Sequence, residues 1–257
     1  MRRALRAAAL ALAVACGGLA LWSAAAGGRR APSPPPPRAT SATVAGLAER
    51  GRGLYATTCA ICHGEDLRGV RGRGPSLIGA GAAAVDFYLA TGRMPIEDPT
   101  DEPLRAEPQY GRRDIDALVA YVGSFGGPAI PRVDPAAGDV ARGKESFTEN
   151  CAGCHQVVGR GGIVTGALVP AVTDIPPRQL GEAVRVGPYL MPVFDEKRLP
   201  AAELDDVAAY LRYASDPDDR GGWGIGNIGP VPEGLVTWLI AGLALLGVVR
   251  LLGERAR

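Results

Sequence analysis

The sequence predicts an all-α chain: two tandem helical domains of similar design, followed by a C-terminal transmembrane helix. Three observations carry this expectation. The chain repeats itself at an offset of 92 residues, so that Gly51, Tyr55, Cys59, Cys62 and His63 fall on Gly143, Phe147, Cys151, Cys154 and His155. Each copy closes with apolar residues at helical spacing, Ile115, Leu118, Val119, Val122 and Phe125 in the first and Leu204, Val207, Ala208 and Leu211 in the second. Leu235 to Val249 carries no charge, and Ile228 to Leu252 offers the ~20 residues that a bilayer crossing needs.

The elements follow in order. Residues 1–27 open with Met1-Arg2-Arg3 and an apolar stretch ending in Ala24-Ala25-Ala26, which reads as a cleaved export signal or a retained N-terminal membrane helix. Cys16 lies inside this stretch. Ala13 is smaller than a lipoprotein cleavage site wants, so Cys16 reads as an apolar member of the stretch and lipidation as the lesser alternative. Residues 28–45, with Pro34–Pro37, form an extended linker. The two domains occupy 46–128 and 135–217, joined by a linker at 129–134. Gly126-Gly127-Pro128 stops the helix before it. Asp114/Asp116 and Glu203/Asp205 favour the starts of the closing helices. A Gly-rich approach (218–232) leads to the transmembrane helix at 233–253 and a cytoplasmic tail at 254–257, with Arg250, Arg255 and Arg257 marking the cytoplasmic side.

Composition removes other classes. Of 257 residues 47% are hydrophobic, too many for a disordered chain. A net charge of +1 gives no basic field for nucleic acid. Domains this small, with few aromatics, are marginal without a staple or a cofactor in the core.

The chemistry lies in two strings, Cys59-Ala60-Ile61-Cys62-His63 and Cys151-Ala152-Gly153-Cys154-His155, which use both His and four of the five Cys. Cys-x-x-Cys-His attaches c-type haem: the thiols add to the two vinyl groups and the His ligates iron. A zinc site would not need the adjacent His, and a redox dithiol would need a strand–helix setting. The second axial ligand follows by elimination. No His remains, and Met1 initiates the chain. Met94 lies 31 residues after His63 and Met191 lies 36 after His155, each followed by Pro. His/Met ligation fills both axial positions and suits electron transfer rather than binding of a substrate at iron. Tyr55/Phe147 and Tyr121/Tyr210 are expected at the helix contact that holds the haem, and Pro75 and Pro170 against the proximal His. The acidic, Pro-rich stretch 97–108 occurs only in the first unit and reads as a solvated or docking loop.

From residue 46 to the C-terminus the arrangement resembles the dihaem cytochrome c subunit (cytochrome cc) of the actinobacterial menaquinol–cytochrome c reductase, the cytochrome bcc complex. The haem strings, Gly92-Arg93-Met94-Pro95, Leu190-Met191-Pro192, Gly126-Gly127-Pro128-Ala129-Ile130-Pro131 and Ile228-Gly229-Pro230-Val231-Pro232-Glu233-Gly234 carry the resemblance. It implies two tandem cytochrome c domains with two covalently bound haem c. It further implies an electron-transfer subunit of a quinol–cytochrome c reductase, a translocase, in the cell membrane with its haem domains outside. The implied partners are cytochrome b, the Rieske iron–sulfur protein as donor to the first domain, and an aa-type cytochrome oxidase as acceptor from the second. The alternatives are a dihaem carrier for a cbb-type oxidase or a membrane dehydrogenase, a dihaem peroxidase, and a haem-free metal-binding module.

Overall fold

The computed structural model describes residues 41–164, 166–217 and 230–255. The signal or helix expected over 1–27, Cys16, linker residues 28–40 and approach residues 218–229 lie outside the described residues.

Both domains are built on the same crossing of two helices. In the first, α1 (Ser41–Leu54) continues through a π-helical turn, Tyr55–Cys59, into the short α2 (Ala60–His63). The helix thus begins inside the region expected as linker. It crosses the closing helix α4 (Arg112–Gly123), whose Ile115, Leu118 and Val122 are buried. At the crossing, a Cβ on Gly51 would lie 2.0 Å from the Ala117 carbonyl oxygen, so only glycine permits this approach. The second domain repeats it: α5 (Val140–Asn150) crosses α8 (Ala201–Ser215), and a Cβ on Gly143 would lie 1.9 Å from the Asp206 oxygen. Short α6 (Ala152–His155) then carries the second Cys-x-x-Cys-His string. The predicted apolar stripes are the core faces of α4 and α8, except that Phe125 falls beyond the end of α4 and is exposed, with its ring edge-on to Tyr121.

The acidic residues at the helix starts also tie the crossings together. Asp114 accepts two hydrogen bonds from Arg50 of α1, at 2.8 and 2.5 Å. Glu203 accepts from Ser146, and Asp205 from the Asp134 backbone N–H.

Two helices were not indicated by the pattern of apolar residues: α3 (Gly81–Ala90) in the first domain and α7 (Pro177–Val186) in the second. They pack against each other and join the domains. The linker is packed down rather than loose. Gly126 and Gly127 have φ of 89° and 103°, the Ala83 N–H donates to Pro128 O, and Pro131 and Val133 press on Gly181 of α7.

The helical expectation holds with one addition, a hairpin of β1 (Gly162–Val164) and β2 (Ala167–Val169), paired antiparallel with Ile163 opposite Leu168. It accommodates part of the longer His–Met spacing in the second domain. At the C-terminus α9 (Pro230–Arg255) contains an apolar span, Gly234–Glu254, none of whose window is buried. A core helix would be covered. This one is free along its length to meet lipid.

Candidate functional site

In the first domain the structure brings Cys59, Cys62, His63 and Met94 to one cavity of about 1120 Å³. The π turn and α2 present the two thiols and the imidazole from one side. Met94, in the loop after α3, packs against the same core cluster as Cys59 and Tyr55. Val70, Leu77, Val85 and Leu89 supply apolar walls. This is the large, mainly apolar enclosure that a flat macrocycle requires, just above the ~300–1,000 Å³ common for ligand and cofactor sites.

The loop after the string folds back over it. Gly74 lies so close that a Cβ there would meet the Cys62 carbonyl oxygen at 2.7 Å. This sets Pro75 O 2.8 Å from His63 Nδ1. A carbonyl only accepts, so Nδ1 carries the proton and Nε2 keeps its lone pair for a metal. The second domain builds the same device, with His155 Nδ1 3.1 Å from Pro170 O. The prolines expected to pack on the histidines act through their carbonyl oxygens instead. Burial lowers the His155 pKa against the opposing effect of the Pro170 bond, which favours the neutral imidazole. Such outer contacts fix tautomer and ring orientation.

The other residues of the second string sit similarly. Cys151 and Met191 both pack against the second core cluster, built on Phe147, Val207 and Tyr210, while Cys154 is exposed. Among the described residues, none of the four string cysteines is paired in a disulfide. Burial raises the Cys59 pKa, against a hydrogen bond with Thr58, and pushes that of Cys151 up to about 11.

The aromatic positions divide their work differently in the two domains. Tyr55 stacks on Tyr121 with ring centroids 5.5 Å apart, and its hydroxyl donates to Gly64 O at 2.6 Å. Phe147 lacks that hydroxyl. Its partner Tyr210 supplies one instead, donating to Val157 O at 2.6 Å. In each case the bond pins the chain just beyond the Cys-x-x-Cys-His string to the helix crossing.

The 97–108 stretch is not simply solvated. Glu97, Pro99, Asp101 and Pro103 line the cavity, Ala106 N–H donates to Thr91 O, and Arg105 reaches Gln179 of the second domain at 3.3 Å. Sequence reasoning missed Tyr88 and Tyr110, which also line the cavity. Tyr88 carried a readable signal, a polar-tipped aromatic directly after Phe87 in an apolar helix.

Comparison with known proteins places these sites in a family. Residues 48–125 match the family model described as cytochrome c, and residues 138–211 that described as cytochrome c oxidase, cbb3-type, subunit III. The cytochrome bc1 complex cytochrome c subunit of Corynebacterium diphtheriae is 36% identical over 82% of this chain and 82% of its own length. That of Mycobacterium tuberculosis is 36% identical over 82% of this chain and 79% of its own. The cbb3-type oxidase subunit CcoP of an Azospirillum species is 30% identical over 63% of this chain and 60% of its own. With two cytochrome c domains, a C-terminal apolar helix and relatives matched over four-fifths of their length, the chain belongs to the family of the cytochrome c subunit of the cytochrome bc1 complex.

Proposed function

We propose that the chain holds two covalent haems and carries electrons from the Rieske iron–sulfur protein to a terminal aa-type oxidase, beside cytochrome b. The first haem would be held by Cys59, Cys62, His63 and Met94. The second would be held by Cys151 and Cys154, with His155 and Met191. The observation that carries the reading is the repeated pairing of each His Nδ1 with a proline carbonyl, which leaves Nε2 free beside its two thiols. Bound haem supplies one-electron Fe(III)/Fe(II) chemistry at each site. The protein's part is to hold and to enclose. The thiols would tether the group, the prolines aim the imidazoles, Met94 and Met191 would hold the iron and deny it to substrate, and the 97–103 wall limits water in the first cavity.

The apolar α9 anchors the chain in the membrane, and Arg250, Arg255 and Arg257 set its C-terminus in the cytoplasm with both domains outside. The match of 138–211 to a cbb3 oxidase subunit supports a second reading, a dihaem carrier for such an oxidase. Affinity purification from native membranes separates the two. Cytochrome b and the Rieske protein accompany the chain on the first reading, and a cbb-type oxidase does so on the second. Denatured protein retains two haems per chain, and Cys62→Ala or Cys154→Ala weakens the attachment of one. Haem lost entirely on denaturation refutes the assignment.

A further inference from the structure

The contact between the domains contains two buried carboxyl groups from opposite sides. Asp86 of α3 is 1% exposed and Glu182 of α7 is fully buried. One N–H serves both: Arg178 Nε donates to Asp86 Oδ2 at 2.5 Å and to Glu182 Oε1 at 3.0 Å. The remaining oxygens, Asp86 Oδ1 and Glu182 Oε2, have no hydrogen-bond donor among the described residues. Arg112 Nη2 of α4 lies 2.5 Å from Asp86 Oδ1 as an ion pair, but its hydrogen bonds are directed to Asp116. The two carboxyl groups are within hydrogen-bonding reach of each other. Two carboxylates sharing one buried site resist ionising together, whereas one proton between them gives Glu182 the partner that no described donor supplies to its Oε2.

We propose that Asp86 and Glu182 form a single proton-binding site across the domain boundary, in which protonated Glu182 donates to the Asp86 carboxylate and clasps α3 to α7. Burial, then Asp86, pushes the Glu182 pKa up to about 8. Burial works against ionisation of Asp86 too, but the bond from Glu182 and the Arg112 and Arg178 guanidinia hold it below the ordinary carboxylate range. The surrounding charges do not compete for the proton. Arg185 donates to Phe194 O at 2.7 Å, Arg93 stacks on Phe87 at 4.9 Å, and Arg105 bonds Gln179. A guanidinium group has no proton to exchange in the accessible pH range. With the proton in place, Asp86, Glu182, Asp116, Arg112 and Arg178 sum to zero formal charge. Without it a net negative charge remains in the interface. Arg112 and Arg178 are half exposed and give the proton its way to water.

The sign follows from linkage. Separation of the domains returns Glu182 to water, where its pKa is about 4.3 and it releases its proton. The closed form therefore binds more protons than the open form between ~4.3 and about 8, and closure weakens as pH rises through that window. The ratio of open to closed molecules rises by up to about tenfold per pH unit there and levels off above it. In Glu182→Gln the amide N–H donates to Asp86 without titrating, so the ratio becomes independent of pH.

The test uses the full-length, haem-loaded protein in detergent, with gadolinium spin labels on Glu65→Cys and Lys197→Cys in a Cys16→Ser background. The wild-type interdomain distance distribution is expected to gain a longer, broader component from about pH 5 to about pH 8 and none beyond. Glu182→Gln is expected to keep the short component throughout. Infrared spectra supply an independent readout: a protonated-carboxyl C=O band present at neutral pH and missing in Glu182→Gln. A wild-type distribution that ignores pH, a Glu182→Gln variant that tracks the wild type, or the absence of that band overturns the proposal.

Discussion

The helix crossing in the first domain makes opposite predictions for two glycines one turn-half apart on α1. A methyl group at Gly51 would stand 2.0 Å from Ala117 O, 2.6 Å from its carbonyl carbon and 2.8 Å from Tyr121 Cβ. An ordinary carbon–oxygen contact is about 3.3 Å, so α1 and α4 must part by roughly 1.3 Å. The obstacle is helix backbone, which cannot rotate away as a side-chain tip can. Overpacking of this kind costs ~1–3 kcal/mol. Replacing glycine in a helix returns ~1 kcal/mol. The net for Gly51→Ala is a loss of about 2 kcal/mol at the upper end of the overpacking range. Gly53 has nothing within 4 Å of the equivalent position. Gly53→Ala therefore gains ~1 kcal/mol from propensity alone. The assay is guanidinium unfolding of the haem-loaded protein followed by helical circular dichroism, with both midpoints compared with wild type. If the two variants shift in the same direction, the crossing does not depend on backbone contact at Gly51 and the reasoning fails.

Tyr55→Phe removes one of two donors to Gly64 O, the Leu67 N–H remaining, and Tyr210→Phe removes the side-chain donor to Val157 O; each is expected to destabilise its domain by ~0.5–1.5 kcal/mol in the same unfolding assay. Asp206 is held below the usual carboxylate range by its hydrogen bond with Arg142, and the Asp139 N–H adds to this. The stability it lends is present above the unfolded pKa of about 3.9 and is lost as pH falls through the lower folded value. Asp206→Asn should flatten that acid limb in a pH series of unfolding midpoints. On the proposed ligation, Met94→His lowers the midpoint potential of one haem and leaves the other in place, which redox titration resolves.

The candidate site residues were legible because the covalent haem attachment proposed for them demands a local string. Cys59, Cys62 and His63 must be near neighbours in sequence, and the repeat then announced Cys151, Cys154 and His155. The closing helices were legible for another reason: one buried face stamps a period on Ile115, Leu118 and Val122. α3 escaped because Gly81-Ala82-Ala83-Ala84 presents no contrast between faces, and both sides are covered, one by the cavity and one by the second domain. The His63–Pro75 pairing was half visible. Sequence places a proline near the string, but whether its ring or its carbonyl meets the imidazole depends on the close pass of Gly74 over Cys62. The Asp86–Glu182 pair lay beyond reach, since nothing local says that two carboxyls from opposite domains will meet. Its one sign was Asp86 itself, a lone charge in an apolar ten-residue helix.

The joining of α3 to α7 bears on how a duplicated chain can change. α3 (Gly81–Ala90) and α7 (Pro177–Val186) are ten-residue helices offset by 96, so Asp86 and Glu182 hold the same place in each and the interface sets one repeat position against its own copy. Were two separate copies of one domain to meet in this way, each would offer the same side chain: acid would face acid, or base would face base. Such a contact can hold no complementary pair at its centre. Carrying both copies on one polypeptide lifts the restriction, because each codon can then drift alone. Here acid does face acid, Asp86 against Glu182, and the complement comes from Arg178, whose place in α3 is held by Ala82, an asymmetry that only covalent tandem linkage, or a pair of distinct genes, can encode.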